Sequence, residues 1–345
     1  MRVLVLSLGA LLGCTPIMPF RPDASTPTDV DAGVADAGAS PRPIAWSVIT
    51  LPDAGPVQAM AGNGRETFAL VNDQVMRLVG AQLVPISGPT LALGMGLFVT
   101  PFGSVHAIGT QQASFCASRC EDGMNHRRLV GRPGDRLLKI CGFGETVYAV
   151  GSRSDGSTVL FDFVTSRGWA ELQSSSALGV GELADCLVLP STELLVAGTS
   201  GVARLTRTGA VVATEPFELA GQTRVAWKDL DLTVTPSGDL RSIMIVGGDG
   251  AYRSAQRAGE AWRALPAIEP GAYFERVTGW SEPDEFFAWG SRPAGGTAAF
   301  RFTNGRWSPL AVPVDEPQLF ETSGTALFVG GRSGGRPALF RGTLQ

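Results

Sequence analysis

The side chains able to do chemistry are few. His106, Cys116, Cys120 and His126 fall close together in the chain, and two imidazoles with two thiolates make an ordinary tetrahedral zinc set. A disulfide between Cys116 and Cys120 is the competing use of the same thiols, and oxidising surroundings favour it. His106 also lies inside an apolar run, Val105-His-Ala-Ile-Gly109, where a packed histidine is the plainer reading. Gly331-Arg-Ser333-Gly-Gly335 fits Gly-x-Ser-x-Gly as a string. A nucleophile elbow needs a helix after the serine; an extended run follows here, so the string reads as a hairpin turn. In Asp229-Leu-Asp231-Leu-Thr-Val the carboxylates are two residues apart, which places both on one face of a strand. These residues imply no metal and no cofactor.

Short strands must position such groups, because no stretch holds a helical period and glycine and proline punctuate the chain at strand-length intervals. After residue 44 a unit recurs: an apolar strand ending in a small residue, a turn, and a second strand. Its cores are Thr67-Phe-Ala-Leu-Val71, Val105-His-Ala-Ile-Gly109, Val147-Tyr-Ala-Val-Gly151 and Leu194-Leu-Val-Ala-Gly198. Ile243-Met-Ile-Val-Gly247, Glu285-Phe-Phe-Ala-Trp-Gly290 and Ala326-Leu-Phe-Val-Gly330 continue the series. Successive cores end 38, 42, 47, 49, 43 and 40 residues apart. That period marks propeller blades, so the expected fold class is all-β, a seven-bladed β-propeller. Trp169, Trp262 and Trp307 each open an outer strand, the last after the hairpin signal Asn304-Gly305. The final repeat stops at Leu344 without an outer strand, while a spare one, Trp46-Ser-Val-Ile-Thr-Leu-Pro52, precedes the first. Residues 45–51 are therefore expected to pair with 337–344, completing the last blade and covering its exposed edge.

On that frame the inner strands carry charge at or near their ends: Lys139, Asp185, Asp229, Asp231, Glu275, Arg276 and Glu321, with Tyr273 beside them. Unpaired carboxylates are costly to bury, so these are expected to reach the mouth of the ring or to pair with arginines. They are the candidate ligand-binding residues. Ser254, Gly259 and Trp262 resemble the Asp-box hairpin of sialidase-like propellers, with Gln256 in place of the aspartate and one residue inserted. The WD dipeptide and Gly-His signature of other propellers are missing, so the repeats are similar to degenerate Asp-box or kelch-like ones. Such boxes are structural turns. Sialidase-like chemistry would need a tyrosine nucleophile, an acidic partner and arginines. Tyr148 and Tyr252 lie in strand cores, which leaves Tyr273 with Glu275 and Arg276.

Where the chain sits is read from its beginning. Arg2 is followed by an uncharged apolar run, Val3 to Leu12, too short to span a bilayer and suited to a secretory signal. The run ends Leu11-Leu12-Gly13-Cys14-Thr15, which resembles the bacterial lipobox. The resemblance implies a signal peptide at 1–13, diacylglyceryl on the Cys14 thiol, and an acyl group such as palmitate on the new amine. Several chains anchor stably where one does not. Thr15 is not the aspartate that favours inner-membrane retention, so the outer membrane, on its periplasmic face or at the cell surface, is the expected address. Residues 14–43 then form a tether of small residues, prolines and aspartates that cannot bury enough apolar surface to order itself. Its aspartates lack the spacing of a calcium loop.

Cys116, Cys120, Cys141 and Cys186 remain, an even number in an oxidising compartment, and three pairings are open. Cys116 and Cys120 could staple one hairpin loop, and Cys141 with Cys186, about one repeat apart, could link neighbouring blades. The formal net charge is −4 and lysine occurs at only two positions, Lys139 and Lys228. Without a basic stripe, nucleic-acid binding is not expected. The expected organisation is a signal peptide, a lipidated tether and a monomeric propeller over 44–345. The propeller is expected to be a non-enzymatic module binding a protein or glycan. A carbohydrate-active hydrolase or lyase, and a structural scaffold in an envelope assembly, are the alternatives.

Overall fold

In the computed structural model the described residues are 41–345, apart from 53–54, 118–119, 125–127, 144, 165–167, 217–226, 249–251, 259–260, 267, 269–272, 282–283 and 293–294. The signal, Cys14 and most of the tether therefore lie outside the described residues, as does His126. The rest forms seven four-stranded antiparallel sheets, each built from strands consecutive in the chain except the last. These are the blades of a β-propeller, numbered 1 to 7 in chain order. Their innermost strands are Val57–Gly62, Gly94–Val99, Arg136–Phe143, Leu183–Val188, Trp227–Val234, Tyr273–Trp280 and Glu316–Ser323.

The second strand of each blade explains the repeat. It is flanked within its sheet and covered on both faces by neighbouring blades, so it is apolar throughout rather than alternating. Val105–Gly109 and Leu194–Gly198 are buried at every position. Successive side chains point to opposite faces and join different cores. Ile243 and Ile245 pack against blade 4, while Met244 and Val246 pack against blade 6. Seven such clusters fill the seven interfaces between adjacent blades.

The ring closes as the spare strand implied. Ile44–Ile49 pairs antiparallel with Arg336–Leu344, from Ile44 opposite Leu344 to Ile49 opposite Leu339. Trp46 faces Gly342, where a Cβ would stand 2.7 Å from the indole. The pairing begins at Ile44 and ends at Ile49; Thr50 then leaves blade 7 and bridges in parallel to Gln82 of blade 1. A buried pair holds the incoming chain: Arg301 donates to both oxygens of Glu285 at 2.7 and 2.6 Å and to the Arg42 carbonyl at 2.7 Å. Turn chemistry is as expected at Asn304-Gly305, with φ of 53° and 77°. Ser333-Gly334-Gly335 is likewise a hairpin turn, joining two strands of blade 7 with no helix after it.

Candidate functional site

Each innermost strand has a register break near its start, leaving one residue unpaired with the second strand. Bulges bend a strand and re-aim side chains. Here the residue after the break faces the axis in every blade: Ala59, Gly96, Lys139, Asp185, Asp229, Arg276 and Leu319 form one rung. Two residues further along, Ala61, Phe98, Cys141, Leu187, Asp231 and Glu321 line the axis below it. Together they wall a cavity of about 320 Å³. Charge occupies the rung on blades 3 to 6, and apolar or small residues occupy blades 7, 1 and 2.

Three of the charged side chains repair a defect inherent in the fold. An innermost strand has a free edge, so some of its N–H groups lack a ladder partner. Asp185 accepts from the Leu230 N–H of blade 5 at 3.0 Å, and Asp229 accepts from the Val277 N–H of blade 6 at 2.7 Å. Asp231 does the same one rung deeper, from Gly279 at 2.8 Å. Lys139 bridges the first two, donating to Asp229 and lying 3.4 Å from Asp185. Arg276 makes one long contact, 3.5 Å to Asp229. Glu321 accepts no hydrogen bond among the described residues.

These environments separate the carboxyls. Burial pushes Asp185 up to about 8 against the pull of Lys139, with the charge of Asp229 adding to the rise. Burial also acts on Asp229, but Lys139 and then Arg276 hold it below the usual carboxylate value. The pair thus keeps a proton on Asp185 and a charge on Asp229. Burial takes Asp231 up to about 6, partly offset by the N–H groups of Gly279 and Leu232. Glu321 is raised well above its ordinary value by burial, then by Asp231 and Asp229. Asp229 and Asp231 thus face Lys139 and Arg276 across the cavity, while burial favours the protonated forms of Asp185 and Glu321.

Of the sequence candidates, Lys139, Asp185, Asp229, Asp231, Arg276 and Glu321 meet on the axis, and Tyr273 and Glu275 do not line the cavity. Glu275 is the residue left unpaired at the bulge of its strand, and Tyr273 precedes the break, its ring 5.7 Å from the Lys228 ammonium. Gln58, Met95, Phe98 and Gln318 also line the cavity and escaped the sequence reading, being uncharged. The zinc alternative is corrected: Cys116 and Cys120 form a disulfide, which uses both thiols. His106 packs against Phe115 and Phe163, and burial lowers it to about 4. A second disulfide, Cys141–Cys186, joins the innermost strands of blades 3 and 4 in the cavity wall. In the hairpin similar to an Asp-box, Ser254 is buried and accepts from the Trp307 indole N–H at 2.9 Å, tying blade 5 to blade 6.

No family model and no curated protein matches the chain. Among solved structures it is similar to a streptogramin B lyase, at 12% identity over 88% of this chain and 98% of that one, with a TM-score of 0.66. It is also similar to the extracellular domain of a hybrid two-component system from B. thetaiotaomicron, at 10% identity over 85% of this chain and 39% of that one (TM-score 0.60). A third is YCF48 from Cyanidioschyzon merolae, at 11% identity over 86% and 98% (TM-score 0.59). At these identities the likeness is one of fold, a β-propeller.

Proposed function

We infer that this is an exported lipoprotein, anchored through Cys14 to the outer membrane, whose propeller binds a ligand at its axial mouth without transforming it. The observation that carries the binding reading is the cavity, walled by an arginine with one long contact and a carboxyl with no hydrogen bond among the described residues. Asp185, Asp229 and Lys139 are bound up with backbone and with one another, whereas Arg276 and Glu321 have open valences. Leu93 supports the same mouth: it immediately precedes the innermost strand of blade 2, 66% exposed and at a φ of 52°. Left-handed backbone is unfavourable for a large apolar residue and gathers at binding sites. Two disulfides support export to an oxidising compartment. The chain joins the ring at Pro43, beside Gln345, at the end of the innermost strands away from the charged rung. A protein or a glycan would engage the mouth only through a group small enough to enter.

Asp231 and Glu321 are the observation behind a second reading, since two carboxyls of unequal pKa flanking a substrate are the equipment of glycoside hydrolysis. Product formed on incubation with envelope glycans would decide for it. For the anchor, Cys14→Ser should move the protein from the membrane to the soluble fraction and remove the acyl mass. Retention in the membrane with no acyl group would refute it.

A further inference from the structure

Arg276 and Glu321 stand on neighbouring blades, line the same cavity and form no ion pair, although each has bonding capacity to spare. An arginine and a carboxyl that line one cavity without meeting leave hydrogen-bonding capacity that a ligand carrying both charges could take up. We propose that the axial cavity takes a small zwitterion of the α-amino-acid class, its carboxylate on Arg276 and its ammonium on Glu321 and Asp231. This rests on the reading of the mouth as a binding site and names its ligand.

The arrangement suits that chemistry in three ways. A guanidinium presents several donors in a fork matched to a carboxylate, and among the described residues only one donor of Arg276 is engaged, at 3.5 Å. Glu321 stands one rung below Arg276, a backbone offset of about 7 Å, so a ligand short enough to carry both charges on one carbon could be reached by both flexible side chains. Opposite the charges, Met95, Phe98 and Leu319 offer an apolar wall for the side chain. A simple amine would leave Arg276 unmatched and repelled, and a simple carboxylate would face Asp231 and Glu321. The ammonium would also favour the ionised form of Glu321, whose proton burial now retains, so binding should release a proton.

Calorimetric titration of the purified full chain with four probes tests this: L-leucine, 3-methylbutylamine, 4-methylpentanoate and glucose. The amine and the acid are leucine without its carboxylate and without its ammonium. Leucine should bind, with a heat that varies with the ionisation enthalpy of the buffer, and each truncated probe should bind about 10-fold more weakly or worse. Arg276→Gln should remove the advantage of leucine over the amine, and Glu321→Gln its advantage over the acid. Glu321 bonds to no other element among the described residues and Arg276 makes one long contact, to Asp229, so both variants should fold, as circular dichroism would show. Failure of leucine to saturate the protein, or an amine that binds as tightly, overturns the zwitterion. Glucose binding alone would overturn it too, while leaving the mouth a binding site. Conversion of a probe would overturn the non-catalytic reading instead.

Discussion

A half-buried carboxyl without a hydrogen bond, as Glu321 is among the described residues, gives up part of its hydration and gains no partner in return. Its folded pKa lies above its unfolded value, so the folded protein binds more protons than the unfolded chain across that interval. Stability then falls as pH rises through it. Asp231 and Asp185, raised to about 6 and about 8, act in the same direction. Asp229 acts in the opposite one, and its contribution is lost only as pH drops through its lowered value. Thermal melts should therefore show Tm declining between about pH 4.5 and pH 8. Glu321→Gln removes one of these charges and should raise Tm at pH 8 by about 2–4 °C, while changing little at pH 4.5. A variant less stable than the parent at both pH values would mean that the carboxylate has a partner in the fold. A side chain that weakens its own fold is the pattern expected where binding, not packing, retains it.

At the scale of the strand, the repeat's terminal glycine has a steric cause. The segment entering each innermost strand passes directly over it: a Cβ at Gly109 would lie 2.6 Å from the Ala92 carbonyl oxygen. One at Gly198 would overlap the carbonyl oxygens of Val180 and Glu182, and one at Gly151 would lie 2.8 Å from that of Arg136. Backbone cannot yield as a side-chain tip can, so Gly198→Ala should cost about 1–3 kcal/mol, read from the midpoint of urea unfolding. An unchanged midpoint would show that the crossing chain is free to move. The apolar second strands, and these glycines where they occur, carry the fold's signal in the sequence, because successive blades repeat them in the same place. The cavity was legible only where it is charged. Its rungs are set by the bulges, and the turn between first and second strands varies in length. Asp229 consequently lies 18 residues before its repeat-end glycine, and Lys139 lies 12 before its own. Gln58, Met95 and Gln318 carry no mark that distinguishes them from ordinary strand residues. The split between Arg276, on the rung, and Glu275, off it, depends on a bulge that alternation alone does not reveal.

Around the whole ring the interfaces are unequal in how they are held. Blades 3 and 4 are joined covalently by Cys141–Cys186, across a separation of 45 residues, a crosslink worth about 4 kcal/mol in the chain-entropy account. Blade 7 is completed by a strand from the other end of the chain, held by hydrogen bonds and by the packing of its side chains. Ile49 is the buried residue of that strand and shares one core with Phe328 and Leu339 of blade 7 and Met60 and Ala69 of blade 1. Truncating it loosens the strand and the interface together, because no other covalent link spans the closure. Ile49→Ala should cost about 2–5 kcal/mol, and its effect should be local before it is global. In native-state hydrogen exchange, amides of 339–344 and 57–62 should lose protection first, while 136–143 and 183–188, stapled across the ring, keep theirs. Uniform loss of protection across all blades would mean that the ring opens as a single cooperative unit, with the seam no weaker than the rest. Local loss would place the low-energy opening of the molecule at blade 7. The axial cavity would then widen first beside Glu321, the wall nearest the seam, and bound ligand should restore protection there.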